Sequence, residues 1–166
     1  CLSAVTAMAT MVEDMLALAR LDAGPTSQRR EPLTPVDLVR DAWDQLAARA
    51  AAKGQSLALT APEPLTVSGD RVLLGRIVGN LLDNAVTHGA AGVVRIALAG
   101  TDTGWSLTVS NPGSTLDAAQ AVHATERFWR GDAARAAVGA HSGLGLALVA
   151  SAAHALGGTV AVTTTR

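Results

Sequence analysis

The chain has 166 residues, of which 49% are hydrophobic and 16% charged, with a formal net charge of −1. That length fits one globular domain with a small appendage, and the near-neutral charge gives no case for a basic nucleic-acid surface or an acidic tail. The one cysteine, Cys1, excludes an internal disulfide and fits a reducing compartment, while no apolar run nears the roughly 20 residues that span a bilayer.

Residues 2–21 read as a helix, because Val5, Met8, Met11, Val12, Met15, Leu16 and Ala19 recur at three- and four-residue spacing. Gly24-Pro25 stops it, and residues 24–34 read as a linker. Thr34-Pro35 with Asp37 marks the next helix start, which carries Val36, Leu38, Val39, Trp43 and Leu46 to a stop at Gly54. Ser56–Thr60 and Leu65–Val67 read as short strands, and Asp70 caps a helix that Gly89 closes. Val93–Ala99 and Trp105–Ser110 alternate around a turn and predict a hairpin. A short helix near 117–124, a long one over Gly143–Leu156 and a last strand over Thr159–Thr164 complete the pattern. The sum predicts a helical stem followed by an α+β two-layer sandwich, with helices on one face of a mixed sheet. The stem's apolar face (Val5, Met8, Val12, Met15) has no partner in the rest of the pattern and is expected to meet a second copy or another helix. Residues 123–142 hold few large apolar side chains beyond Phe128 and Trp129, so they are expected to be mobile without a ligand.

Three clusters carry chemistry. Asn80, Asn84 and His88 stand at four-residue intervals on one helix and share a face. Two amides in register suit a hard cation and phosphate oxygens, although a solvated polar stripe has the same spacing. Asn111-Pro-Gly113 follows a strand, where an ordinary turn is the simplest reading. Arg130 and Arg135 lie beyond Phe128-Trp129 in a glycine- and alanine-rich stretch; arginines clamp phosphates well and are as often merely solvated. Ser142-Gly143-Leu144-Gly145 opens directly into a helix, whose first N–H groups and dipole favour an anion.

The order of these clusters is more specific than any of them alone. An asparagine helix, a strand, Asn-Pro-Gly, Glu126-Arg127-Phe128-Trp129-Arg130 and Ser142-Gly-Leu-Gly-Leu-Ala147 resemble the boxes of the GHKL (Bergerat-type) ATP-binding fold. That group holds DNA gyrase, a heat-shock chaperone, a mismatch-repair protein and the sensor histidine kinases. The chain is most similar to the kinases, in the branch that includes heavy-metal sensors and has Asn-Pro-Gly in place of Asp-x-Gly. Met11–Gly24 resembles the end of the second dimerisation helix that precedes the kinase domain. The resemblance covers nearly the whole chain and implies three parts. Residues 1–23 would end the dimerisation helix, 24–34 would be a linker, and 35–166 would form the ATP-binding catalytic domain, short of its usual final strand.

The resemblance also implies roles. Asn84 corresponds to the Mg²⁺ ligand and Asn80 to a residue near the phosphates. His88 stands at the adenine end, and Asn111 replaces the aspartate that accepts from the adenine amino group. Gly113 and Leu116 would line the base, Arg130 and Arg135 would approach the γ-phosphate, and Ser142, Gly143, Leu144 and Gly145 would border the phosphates. ATP and Mg²⁺ are the implied cofactors. Homodimerisation, a phosphoacceptor histidine helix in the same or the partner protomer, a response regulator and a cytoplasmic position beneath an inner-membrane receptor are implied with them; nucleic acid is not. None of His88, His123, His141 and His154 sits in the family's acceptor pattern, so this fragment alone is expected to lack autophosphorylation. Asn80 also stands where hydrolysing members carry a glutamate base, and an amide cannot take a proton from water. The chain departs from the kinase pattern at Thr87, Thr115, Thr125 and His141. These departures keep open a second reading, a degenerate nucleotide-binding or scaffold module without kinase activity.

Overall fold

The computed structural model describes residues 2–24, 29–62, 64–102, 104–113, 116–131 and 142–164. In chain order the elements are α1 (Leu2–Asp22), β1 (Arg30–Leu33), α2 (Pro35–Ala52), β2 (Gln55–Thr60), β3 (Val67–Asp70), α3 (Arg71–His88), β4 (Gly92–Thr101), β5 (Gly104–Ser110), α4 (Ala118–His123) and α5 (Gly145–Ala155). They fall into two compact units, Gln28–Ser114 and Cys1–Ser27 with Thr115–Arg166.

In the Gln28–Ser114 unit, β2, β4 and β5 form a mixed sheet in that order. β2 runs parallel to β4, which requires the crossover that α3 supplies, and β4 and β5 form the predicted antiparallel hairpin. Along β4, Val94, Ile96 and Leu98 are buried and Arg95, Ala97 and Ala99 exposed, so one face of the sheet is apolar. The helices answer with buried stripes: Leu38 and Val39 on α2; Leu74, Ile77, Val78, Leu82, Ala85 and Val86 on α3. α2 packs beside α3, and an Arg49–Asp83 ion pair crosses between them at the surface. Leu82 is fully buried in this core. Leu82→Ala should therefore destabilise the unit by about 2–5 kcal/mol, read from the shift in urea midpoint.

In the other unit, α1 packs against α5. Ala17 and Leu18 bury against Leu144 and Leu148, with Met11 at the margin. The rest of the stem's apolar stripe stays exposed: Val5 by 67%, Met8 by 69%, Val12 by 53% and Leu16 by 51%. Among the described side chains, the stem thus packs from Met11 to Leu18 and leaves most of its apolar stripe uncovered. The side chains that pack, Ala17 and Leu18, lie outside most of the stripe that periodicity picked out. α5 ends with Gly157 at φ +82, whose N–H and that of Gly158 close onto His154 O and Ala153 O at 2.9 and 2.8 Å. This is the usual way a glycine satisfies the last helical carbonyls.

Four elements differ from the sequence reading. β1 lies inside the stretch read as linker, where it pairs antiparallel with β3; Leu33 supplies the buried contact, and Pro32, which lacks an N–H, fits a two-stranded ribbon. β3 runs over Val67–Asp70, not Leu65–Val67, and leads directly into the helix cap. Thr34 begins α2 with Pro35 in the first turn but makes no side-chain capping bond among the described residues; Asp37 N–H bonds its main-chain oxygen instead. Thr159–Thr164 is not a strand. Alternation licenses a strand, but a ladder needs a neighbouring edge, and none is paired with this segment among the described residues.

Candidate functional site

The Gln28–Ser114 unit supplies the asparagine helix and the turn after β5. Asp70 caps α3 by accepting from the N–H groups of Val72 and Leu73 at 2.9 and 3.1 Å, a stabilising arrangement for the first orphan donors. With the core stripe on one side, Asn80 and Asn84 come out half-buried on another, and His88 ends the helix exposed. The Asn80 amide donates to Arg76 O one turn back at 2.9 Å, which leaves its oxygen as an acceptor. Among the described residues nothing hydrogen-bonds the Asn84 amide. A half-buried amide without a protein partner is ready for a ligand.

The Asn111-Pro112-Gly113 turn rests on the residues just past α3. Ala90 N–H donates to Pro112 O at 2.9 Å. Gly113 has φ +75, and a Cβ there would lie 2.4 Å from the Ala90 Cβ; glycine is required both by backbone conformation and by space. The Asn111 amide nitrogen sits 3.2 Å from where a Gly89 Cβ would be, and its one hydrogen bond among the described residues, to Pro112 O, is long at 3.5 Å. That amide is therefore weakly committed within the protein. The structure thus brings His88 and Asn111–Gly113 to the same end of α3.

The sequence reading missed what fixes that end. Lys53 Nζ donates to Val86 O at 2.8 Å and also to Thr87 O. Gln55 Nε2 reaches Val86 O, Gly89 O and Ala90 O at 3.3, 3.0 and 3.2 Å. A signal was present: Gln55 shares the inward register of Leu57 and Leu59, where an apolar residue is usual.

The other unit carries the remaining candidates. Ser142 Oγ accepts from Leu144 N–H at 3.3 Å, so the hydroxyl acts as a cap and keeps its proton for another acceptor. Leu144, fully buried, precedes α5, and Gly145 is the first helical residue. Gly143 has φ +70, and a Cβ there would approach Trp129 O at 2.8 Å and Phe128 C at 2.9 Å. Its carbonyl accepts from Phe128 N–H at 3.0 Å. Phe128 itself has φ 63 and is 57% exposed, a left-handed conformation that costs energy for a bulky side chain. Leu116 and Trp129 flank Gly131, next to a half-buried Arg130. Arg127 Nη2 donates to both carboxylate oxygens of Asp22 at the end of α1, at 2.8 and 2.7 Å. Residues 123–131 are thus tied at two points, to Gly143 and to α1. Arg135, Thr115, His141 and the 132–141 part of the stretch expected to be mobile lie outside the described residues.

Asn84 offers one hard oxygen of the kind a divalent cation takes as a ligand. The side chain offers a hard, unpartnered oxygen, and no group of three His, Cys, Asp or Glu among the described residues could cage an ion alone. A cation there would share its ligands with phosphate oxygens, the usual arrangement for Mg²⁺.

Residues 69–166 match the family described as Histidine kinase-, DNA gyrase B-, and HSP90-like ATPase. The chain is 39% identical over 155 residues to the probable sensor histidine kinase TcrY of Mycobacterium tuberculosis, covering 92% of the chain and 32% of TcrY. It is 35% identical over 163 residues to the sensor histidine kinase CusS of Escherichia coli K12, covering 98% of the chain and 34% of CusS. It spans about a third of the length of these relatives. Among solved structures, full-length ShkA in complex with AMPPNP superposes with a TM-score of 0.79 at 29% identity, covering 94% of this chain and 32% of ShkA. The Acinetobacter baumannii histidine kinase AdeS, at 21% identity and TM-score 0.78, covers 93% of this chain and 71% of its own and shares the fold. With the asparagine helix, the glycine turn and the glycine-led helix all in place, the chain belongs to the histidine kinase-, DNA gyrase B- and HSP90-like ATPase family, as an ATP-binding catalytic domain of the sensor histidine kinase type.

Proposed function

We propose that this domain holds Mg-ATP and passes the γ-phosphate to a histidine on a dimerisation helix outside residues 1–166, for relay to a response regulator. The observation that carries the reading is the Asn84 amide, half-buried beside Asn80 and without a hydrogen-bond partner among the described residues. Asn84 would ligate the ion, and the Asn80 oxygen would face the phosphates. Asn111 would accept from the adenine amino group, with Gly113, Leu116 and His88 around the base. Arg130 and Arg135 would neutralise charge on the transferring group, while the Ser142 hydroxyl and the N–H groups of Gly143 and Gly145 would face the phosphates, with Leu144 bordering them. Bound Mg²⁺ would supply charge neutralisation across the phosphate oxygens. The protein's own part is positioning, because phosphoryl transfer needs little covalent chemistry from the enzyme. Asn80 offers no base for water, which favours a histidine acceptor over hydrolysis.

In this reading residues 1–23 end the dimerisation helix and α1's exposed face meets a second copy, in the cytoplasmic part of a membrane receptor. No helix among the described residues is long and apolar enough to cross a membrane. The reading is tested at the base end. Asn111→Ala should weaken ATP binding by about tenfold, the effect of one hydrogen bond without charge assistance. Phosphotransfer should recover most of its rate at saturating ATP. A rate that stays low at saturation would place Asn111 away from the base.

A further inference from the structure

A helix leaves its last four carbonyls without intrahelical partners. At the end of α3 one of them takes a main-chain N–H, and two are claimed by side chains from the junction of α2 and β2. Ala85 O takes the Gly89 N–H, Val86 O and Thr87 O take Lys53 Nζ, and Gln55 Nε2 spreads over Val86 O, Gly89 O and Ala90 O. Gln55 is 6% exposed, and its Oε1 is buried with no partner among the described residues. The amide cannot turn over to relieve that oxygen, since Oε1 would then face three carbonyls. An orphaned buried acceptor is costly, and a leucine or methionine would fill the same space without it. The side chain is therefore worth its nitrogen end, which acts on residues 86–90.

Those residues are the seat of the Asn111 turn. Ala90 N–H holds Pro112 O, Gly113 lies against Ala90 with no room for a Cβ, and Asn111 lies over Gly89. The Asn111 amide has only a long bond of its own, so its place depends on the backbone beneath it. We infer that Gln55, helped by Lys53, is the positioning residue of the base end of the nucleotide site: it fixes the carbonyls of residues 86–90, and through them sets where Asn111 meets the purine. This rests on the reading of Asn111 as a base contact. It assigns a function in nucleotide selectivity to two side chains outside the set read as nucleotide contacts.

The test titrates ATP and GTP into the chain and its Gln55→Met and Lys53→Met variants, with thermal melts alongside. Gln55→Met should bind ATP about tenfold more weakly and Lys53→Met about threefold, the scale of one hydrogen bond and of a fraction of one. GTP binding should change less, so the ATP:GTP preference should narrow in both. A brace with no part in base reading would lower the melting temperature and leave that preference unchanged, and this result overturns the inference. Lys53 is exposed, so its variant decides the matter by the same ratio should Gln55→Met not fold. A wild-type chain that binds no ATP would overturn the nucleotide reading itself, and the inference with it. Wild-type binding with an unaltered preference in the variants overturns the inference alone.

Discussion

Asn84→Ala should lower phosphotransfer from ATP by at least about a hundredfold while changing unfolding free energy by about 1 kcal/mol or less. The two numbers separate because of where the side chain sits. It is half-buried on α3, away from the stripe of Leu74, Val78, Leu82 and Val86, and no protein hydrogen bond among the described residues is lost with it. Truncation therefore opens no cavity in the core and orphans no buried partner. What disappears is a hard oxygen that would fix the cation between phosphate oxygens, where the charge of the transferring group is carried. Transfer of labelled γ-phosphate in a receptor chain that includes the acceptor helix gives the first number, and urea unfolding gives the second. Normal transfer, or a loss explained by unfolding, would make Asn84 a structural residue and remove the metal assignment. Asn80 is a useful contrast, because one N–H of its amide is already bonded to Arg76 O, which leaves the oxygen and the second N–H for a ligand.

Gly143→Ala should lower phosphotransfer by about tenfold or more and should also destabilise the unit built from α1, α4 and α5. Two costs add at this position. An alanine must adopt φ +70, which costs on the order of 1 kcal/mol for a residue with a Cβ. Its Cβ would also lie 2.8 Å from Trp129 O, 2.9 Å from Phe128 C and 3.1 Å from Phe128 Cα. All three are backbone atoms, so relief requires moving the chain and not turning a side chain. Residues 128–129 already carry strain at Phe128 and precede Arg130 directly. A shift there displaces the arginine that would face the γ-phosphate, and it weakens the Phe128 N–H bond to Gly143 O. ATP affinity, kcat and melting temperature measured together check this. Wild-type kcat with the alanine in place would show that the 128–143 junction does not set the arginine's position.

The regular elements were legible because their signals are local. Asp70 before an apolar periodicity gave the cap of α3, and alternation around Thr101–Gly104 gave the hairpin. Four-residue spacing put Asn80, Asn84 and His88 on one helix face, and Gly113 and Gly143 were singled out where the structure shows positive φ. The order of these motifs identified the family, since each is weak alone and their sequence along the chain is specific.

Tertiary structure decided what depends on partners distant in sequence. β1 is four residues whose strand character comes from pairing with β3, and the Thr159–Thr164 alternation is no strand because a strand is defined by its neighbour. The stem buries Ala17 and Leu18 against Leu144 and Leu148, a contact that hydrophobicity alone does not reveal, since it ranks Val5 or Met8 equally well. Gln55 and Lys53 stand more than thirty residues before the carbonyls they hold. The sequence by itself thus determined which residue types could meet a nucleotide and on which elements they lie. Only the fold decided which backbone groups hold them there, because hydrogen bonds across such separations are set by packing and leave no period in the chain.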